Sequence, residues 1–155
     1  MKSLTLLAFA LFFVFTFGVY FYNSSTHSNF AFSPPYGFTA GDGVSSFNGF
    51  FFTFIASLLL FGLGAVVAMA IEGLKFGSML SAILISSQGH LYDVLFAVPV
   101  LVACMAATTL AAGLVLDYRG KASVFPYWNY AIKYFAVGLA LNIALILVRS
   151  VVVTS

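Results

Sequence analysis

A chain of 155 residues with 63% apolar and 6% charged residues is no ordinary soluble domain, since such domains carry about 25% charged residues. A formal net charge of +2, thinly spread, excludes a nucleic-acid groove and supplies no block of Lys and Arg dense enough to grip anionic lipid. Long apolar runs with charges at their ends instead predict one all-α domain, a polytopic membrane helix bundle.

The first run, 4–22, follows Lys2 and ends in Val19-Tyr20-Phe21-Tyr22. It is too long for a signal peptide and lacks a small-residue cleavage pattern, so it reads as a retained span with an aromatic interface. Residues 23–49 shift to Ser, Thr, Asn, Gly and Pro, with turn formers in Pro34-Pro35-Tyr36-Gly37 and Gly41-Asp42-Gly43. Phe30, Phe32, Tyr36, Phe38 and Phe47 suggest a loop lying back on the membrane. Because it holds no Lys or Arg, it is expected outside. Asn23-Ser24-Ser25 fits a glycosylation sequon but lies close to the membrane.

A second span, 50–71, delivers Glu72-Gly73-Leu74-Lys75 to the inner side. The third, 74–88, is short enough to be re-entrant; charge favours a crossing, which puts Lys2, Lys75, Arg119, Lys121 and Lys133 inside and leaves only Arg149 near the outer face. The fourth, 91–116, returns inward to a loop over 117–130, whose Phe125, Tyr127, Trp128 and Tyr130 mark the interface, as does Tyr134 beyond it. The fifth covers 131–153. The expectation is five spans with the amino terminus in and the carboxyl terminus out, in a cell membrane.

In lipid, helices associate through small residues and interhelical hydrogen bonds. Ser78, Ala82 and Ser86 form one ladder at four-residue spacing, and Ala103, Ala107 and Ala111 form another. Gly62, Gly64, Gly73 and Gly77 permit similar approach. Cys104, the single cysteine, reads as a core residue.

Asn48-Gly49 at the start of the second span, Leu60-Phe61-Gly62-Leu63-Gly64 within it and Glu72-Gly73-Leu74-Lys75-Phe76-Gly77 at the bend together resemble the stage II sporulation protein M-like family of prokaryotic integral membrane proteins. Gly73 and Gly77 match its Asn-Gly-x-x-x-Gly turn, with Glu72 in place of the Asn. Gly89-His90-Leu91-Tyr92-Asp93 stands where that family has Pro-His-Gly-x-x-Glu. The resemblance implies five spans and a role as a partner in membrane-remodelling or wall-processing assemblies; it does not imply catalysis by this chain.

Few polar residues compete for a role. His90 and Asp93, three apart at a helix start, share a face and could carry a proton or an ion, or simply favour the helix amino terminus. Glu72 and Lys75 are expected to pair across the inner bend as a topological stop, with a helix-break function such as gating as the alternative. Asn48 and Asn142 carry amides at or near the membrane, and Asn142, near mid-depth, needs an interhelical hydrogen bond or a wet cavity. Arg149, one heptad on, is expected to snorkel to the outer interface, with Asp93 or Asp42 as alternative partners.

No hydrolase, metalloprotease or phosphate-loop motif occurs, and two residues make no catalytic zinc site. The expected function is therefore that of a non-catalytic scaffold or subunit, without cofactor, that binds the bilayer and other membrane proteins or further copies of itself through small-residue faces and the aromatic loop. The alternative is a small oligomeric channel or transporter built around His90, Asp93, Glu72 and Asn142.

Overall fold

The computed structural model describes residues 2–28, 30–31, 43–87 and 90–154. Within them the chain is helical, with no strand: α1 (Lys2–Thr26), α2 (Gly43–Leu58), a 3-10 turn over Leu59–Gly62, α3 (Gly64–Leu84), a 3-10 stretch over Leu91–Phe96, α4 (Ala97–Tyr118) and α5 (Phe125–Thr154). Four stretches, Lys2–Thr26, Gly64–Leu84, Leu91–Tyr118 and Phe125–Val152, are long and apolar enough to cross a membrane, whereas Phe47–Gly62 is a shorter apolar helix. The turn formers between Pro34 and Asp42, and Phe32, Tyr36 and Phe38 with them, lie outside the described residues.

The break between the second and third segments is not where hydropathy placed it. The charged Glu72–Lys75 stretch continues as helix, and the chain reverses instead at Leu59–Leu63. There Leu60 (φ 52°), Phe61 (φ 55°) and Gly62 (φ 97°) take left-handed backbone in succession. Gly62 does so freely, while Leu60 and Phe61 each carry about 1–2 kcal/mol of strain. Gly64 completes the reversal: a Cβ there would collide with the Ala56 carbonyl oxygen. Residues 74–84 of the expected short third segment are therefore the C-terminal part of a full 21-residue helix, Gly64–Leu84. Helix α5 likewise starts earlier than expected, at Phe125, and takes the aromatic residues of the expected inner loop into its first turns.

Helix α1 packs most extensively on α3. The two run parallel, since Gly73 faces Phe12 and Gly77 faces Thr16 and Val19. A Cβ at Gly73 would lie 2.6 Å from the Phe12 carbonyl oxygen, and one at Gly77 2.6 Å from that of Thr16. Such backbone approach is what a small-x-x-x-small pair permits in lipid. Thr16 adds the polar component, its Oγ1 donating to the carbonyls of Phe12 (2.7 Å) and Gly73 (3.2 Å). Phe12 and Phe76 meet edge to face at 5.6 Å beside these contacts.

The other half of the bundle is the α4–α5 pair, with α2 between it and α3. Gly138 of α5 faces the Phe50 ring of α2 and Val102 of α4, and Gly113 of α4 faces Tyr127 of α5. Phe50, Phe51 and Phe54 all contact Phe135. Ala8, Phe12, Ala65, Met69, Phe76, Phe96, Val100 and Cys104 form the buried apolar core. Outward, α1 and α5 present long rows of exposed Leu, Val, Ile and Phe, the surface expected to meet lipid.

One end of the bundle collects most of the positive charge. Lys2 opens α1, Lys133 lies in the third turn of α5, and Arg119 and Lys121 lie in the α4–α5 connection. Thr5 donates to Thr108 (3.0 Å) across the same end. Asp117 is the one acid nearby in sequence.

Candidate functional site

With the reversal moved to Leu59–Leu63, Glu72 and Lys75 become interior residues. Glu72 is 0% and Lys75 5% exposed. Lys75 Nζ donates to Glu72 Oε2 at 3.0 Å, one turn apart on α3. At 1.5 Å per residue, Glu72 lies about 12 Å from the Gly64 end of the helix and about 18 Å from the Leu84 end. The expected interfacial stop is thus an ion pair at mid-helix.

Two neighbouring helices close around it. Gly73, adjacent to Glu72, holds α1 against α3. On the α2 side, a Cβ at Gly49 would lie 2.8 Å from Lys75 Nζ and 3.3 Å from Glu72 Oε2. Gly49 therefore leaves the room that the charged ends occupy. The Phe76 ring lies 5.4 Å from the ammonium and offers its face to the cation.

Helix α2 carries further polar atoms into this interior. Asn48 Nδ2 and Thr53 Oγ1 are buried with no hydrogen-bond partner among the described residues, while the buried Ser57 hydroxyl meets the Cys104 thiol of α4. Gly49, Thr53 and Ser57 recur every four residues, so they share one stripe of α2. An unsatisfied buried polar atom costs about 1–3 kcal/mol, and α2 carries two of them beside the ion pair. The four-residue spacing was readable in the sequence, but it was masked by the aromatic run Phe50-Phe51-Phe52.

Asn142 is 0% exposed. It follows Gly138 by one turn, so it faces the same side of α5, toward α2 and α4. Gly138 faces Phe50, next to the Gly49 that abuts the ion pair, so Asn142, four residues further along α5, lies about 6 Å beyond the level of Glu72.

At the opposite end from Lys2, Asp93 and Arg149 join α4 and α5. Arg149 Nε donates to Asp93 Oδ1 at 2.8 Å, and Tyr92 OH donates to the Leu145 carbonyl at 3.1 Å. Arg149 is thereby a clasp rather than the snorkelling side chain expected. Asp93 is 5% exposed and accepts a longer contact of 3.4 Å from the His90 backbone N–H. His90 itself is exposed, and the structure separates it from the Glu72–Lys75 pair by the length of the C-terminal half of α3. The expected grouping of His90, Asp93, Glu72 and Asn142 thus divides into a clasp at one end and an ion pair at mid-depth.

The small-residue ladders also find places. Ala103, Ala107 and Ala111 are all 0% exposed within α4. Ser78, Ala82 and Ser86 line a 150 Å³ cavity with Asn23 and Ser81. Asn23, the residue of the sequon, is buried, with its amide bonded both ways to the Phe30 backbone at 3.0 Å. Among the described residues no three His, Cys, Asp or Glu side chains group as a metal site.

No family model, curated protein or solved structure matches this chain, so the site stands on its own chemistry.

Proposed function

We propose that this chain is a five-span protein of a cell membrane, amino terminus in, that binds and passes a small ion or polar solute at the Glu72–Lys75 pair. The observation that carries this reading is the burial of both charges at mid-helix, within a bundle whose outer surface is apolar. Charges inside membrane segments are costly, and they mark ion and proton pathways by default. Four cations at one bundle end, Lys2, Arg119, Lys121 and Lys133, support the inward orientation of that end. Counting α2 as a crossing rests on its place between α3 and α4 and on its 3-10 extension to Gly62.

The test is flux of protons, sodium, potassium and chloride into proteoliposomes. Wild-type protein is expected to conduct at least one of them above protein-free vesicles, and Glu72→Gln to reduce that flux about tenfold or more, as loss of a charged coordinating group does. Absence of wild-type flux for all four would contradict the reading.

A second reading, a non-catalytic subunit or scaffold, has one observation in its favour. Ala136, Ala140 and Ala144 form a small-residue ladder on an exposed face of α5. Disulfide cross-linking of Ala140→Cys in a Cys104→Ala background reads out self-association through that face, and co-purifying chains would identify a hetero-complex.

A further inference from the structure

The end of the bundle that carries the unpaired cations also holds a cleft of about 400 Å³ between α1, α4 and α5. Its lining is graded along the helix axes. Lys2 and Thr109 lie nearest the end of the bundle, the hydrogen-bonded Thr5 and Thr108 follow, and Leu6, Phe9 and Met105 continue toward the bundle centre, with Tyr134 of α5 along the side. From Lys2 to Phe9 this gradient runs about 10 Å, at the rise of a helix. Polar rim and apolar depth match an amphiphile entering with its head at the interface.

Charge selects the kind of head. Of the six basic residues, Lys75 and Arg149 are held in ion pairs within the bundle. The other four lie at this end, and none makes an ion pair among the described residues. Tyr127, Trp128, Tyr130 and Tyr134 of α5 surround the same level, the aromatic composition of a membrane interface. Lys133, next in sequence to the cleft's Tyr134, lies 5.9 Å from the centre of the Tyr130 ring. A zwitterionic lipid would bring its own cation into this field, whereas an anionic lipid brings none.

We propose that the cleft binds one anionic phospholipid from the adjoining leaflet. The Lys2 ammonium takes the phosphate, the Thr109 and Tyr134 hydroxyls donate to its oxygens, and one acyl chain runs past Leu6, Phe9 and Met105. The sequence disperses these residues over 130 positions or more, which is why its charge pattern alone gives no lipid-binding block. This site is independent of the Glu72–Lys75 pair and of whatever that pair carries.

The experiment is native mass spectrometry of protein released from nanodiscs containing equal amounts of phosphatidylglycerol and phosphatidylcholine, with thermal unfolding confirming that each variant is folded. Wild type is expected to retain phosphatidylglycerol over phosphatidylcholine, and Lys2→Gln to lower that retention about fivefold, as one interfacial lysine's worth of attraction implies. Met105→Trp, which fills the apolar half, is expected to lower retention of both lipids. Lys121→Gln, in the connecting turn and outside the lining of the cleft, is expected to lower retention clearly less than Lys2→Gln. Equal retention of the two lipids by wild type would overturn the proposal, as would an equal loss in Lys121→Gln. Displacement of the lipid by inorganic phosphate alone would also overturn it, by placing recognition in the head and none in the cleft's apolar depth.

Discussion

Glycine residues set how closely the helices approach, and the atoms they face determine what a methyl group would do. Gly73 and Gly77 face backbone carbonyls of α1, which cannot swing aside. Gly73→Ala and Gly77→Ala should each cost about 1–3 kcal/mol by overpacking, seen as a lower unfolding midpoint in detergent. Gly49 faces the tip of Lys75, a flexible group, so Gly49→Ala should cost less and act mainly by displacing the ion pair. The pair itself has a sharper signature. Lys75→Met alone strands Glu72 and should cost about 3–5 kcal/mol, whereas Glu72→Leu with Lys75→Met should fold as well as wild type or better. Chemical-denaturant unfolding of the three proteins checks that order. The residues of this pair were legible in the sequence, but their depth was not. Hydropathy assigns charges to the ends of runs, and here two opposite charges three residues apart neutralise one another within a single helix.

At the scale of elements, the least legible feature was the reversal at Leu59–Leu63. No Pro marks it, and Leu60 and Phe61 are ordinary helix residues in left-handed backbone; the local signal is confined to Gly62 and Gly64. Gly64→Ala should therefore be among the most damaging single substitutions, because the Ala56 carbonyl leaves no space. Loss of monodisperse protein on size-exclusion chromatography is the expected result, and unchanged behaviour would show that α2 and α3 are joined differently. The Asp93–Arg149 clasp is milder, since the Arg149 side chain is 24% exposed. Asp93→Asn should cost about 1 kcal/mol or less and speed amide exchange in the last turns of α5 without unfolding the bundle. Sequence spacing made Asp93 and Arg149 available as partners. Only the packing of α4 on α5 decided between that clasp and a free, snorkelling arginine.

For the whole molecule, membrane class followed from composition because burying 63% apolar residues in a soluble fold of this size would leave almost no polar surface to face water. The count of crossings depends on α2, the shortest apolar helix. Thiol labelling in a Cys104→Ala background tests it: Leu60→Cys and Lys121→Cys should react from the same side, and His27→Cys and His90→Cys from the other. Labelling of Leu60→Cys together with His27→Cys would reduce α2 to a segment that enters and leaves by one face. The central claim concerns why a small bundle keeps two charges in its interior when an apolar pair would be at least as stable. The most direct measurement is ion flux through proteoliposomes of the Glu72→Leu/Lys75→Met double variant, matched to wild type in folding and orientation. Loss of flux in a fully folded variant is the predicted result. Flux equal to wild type would contradict the claim and make the pair a structural element of α3.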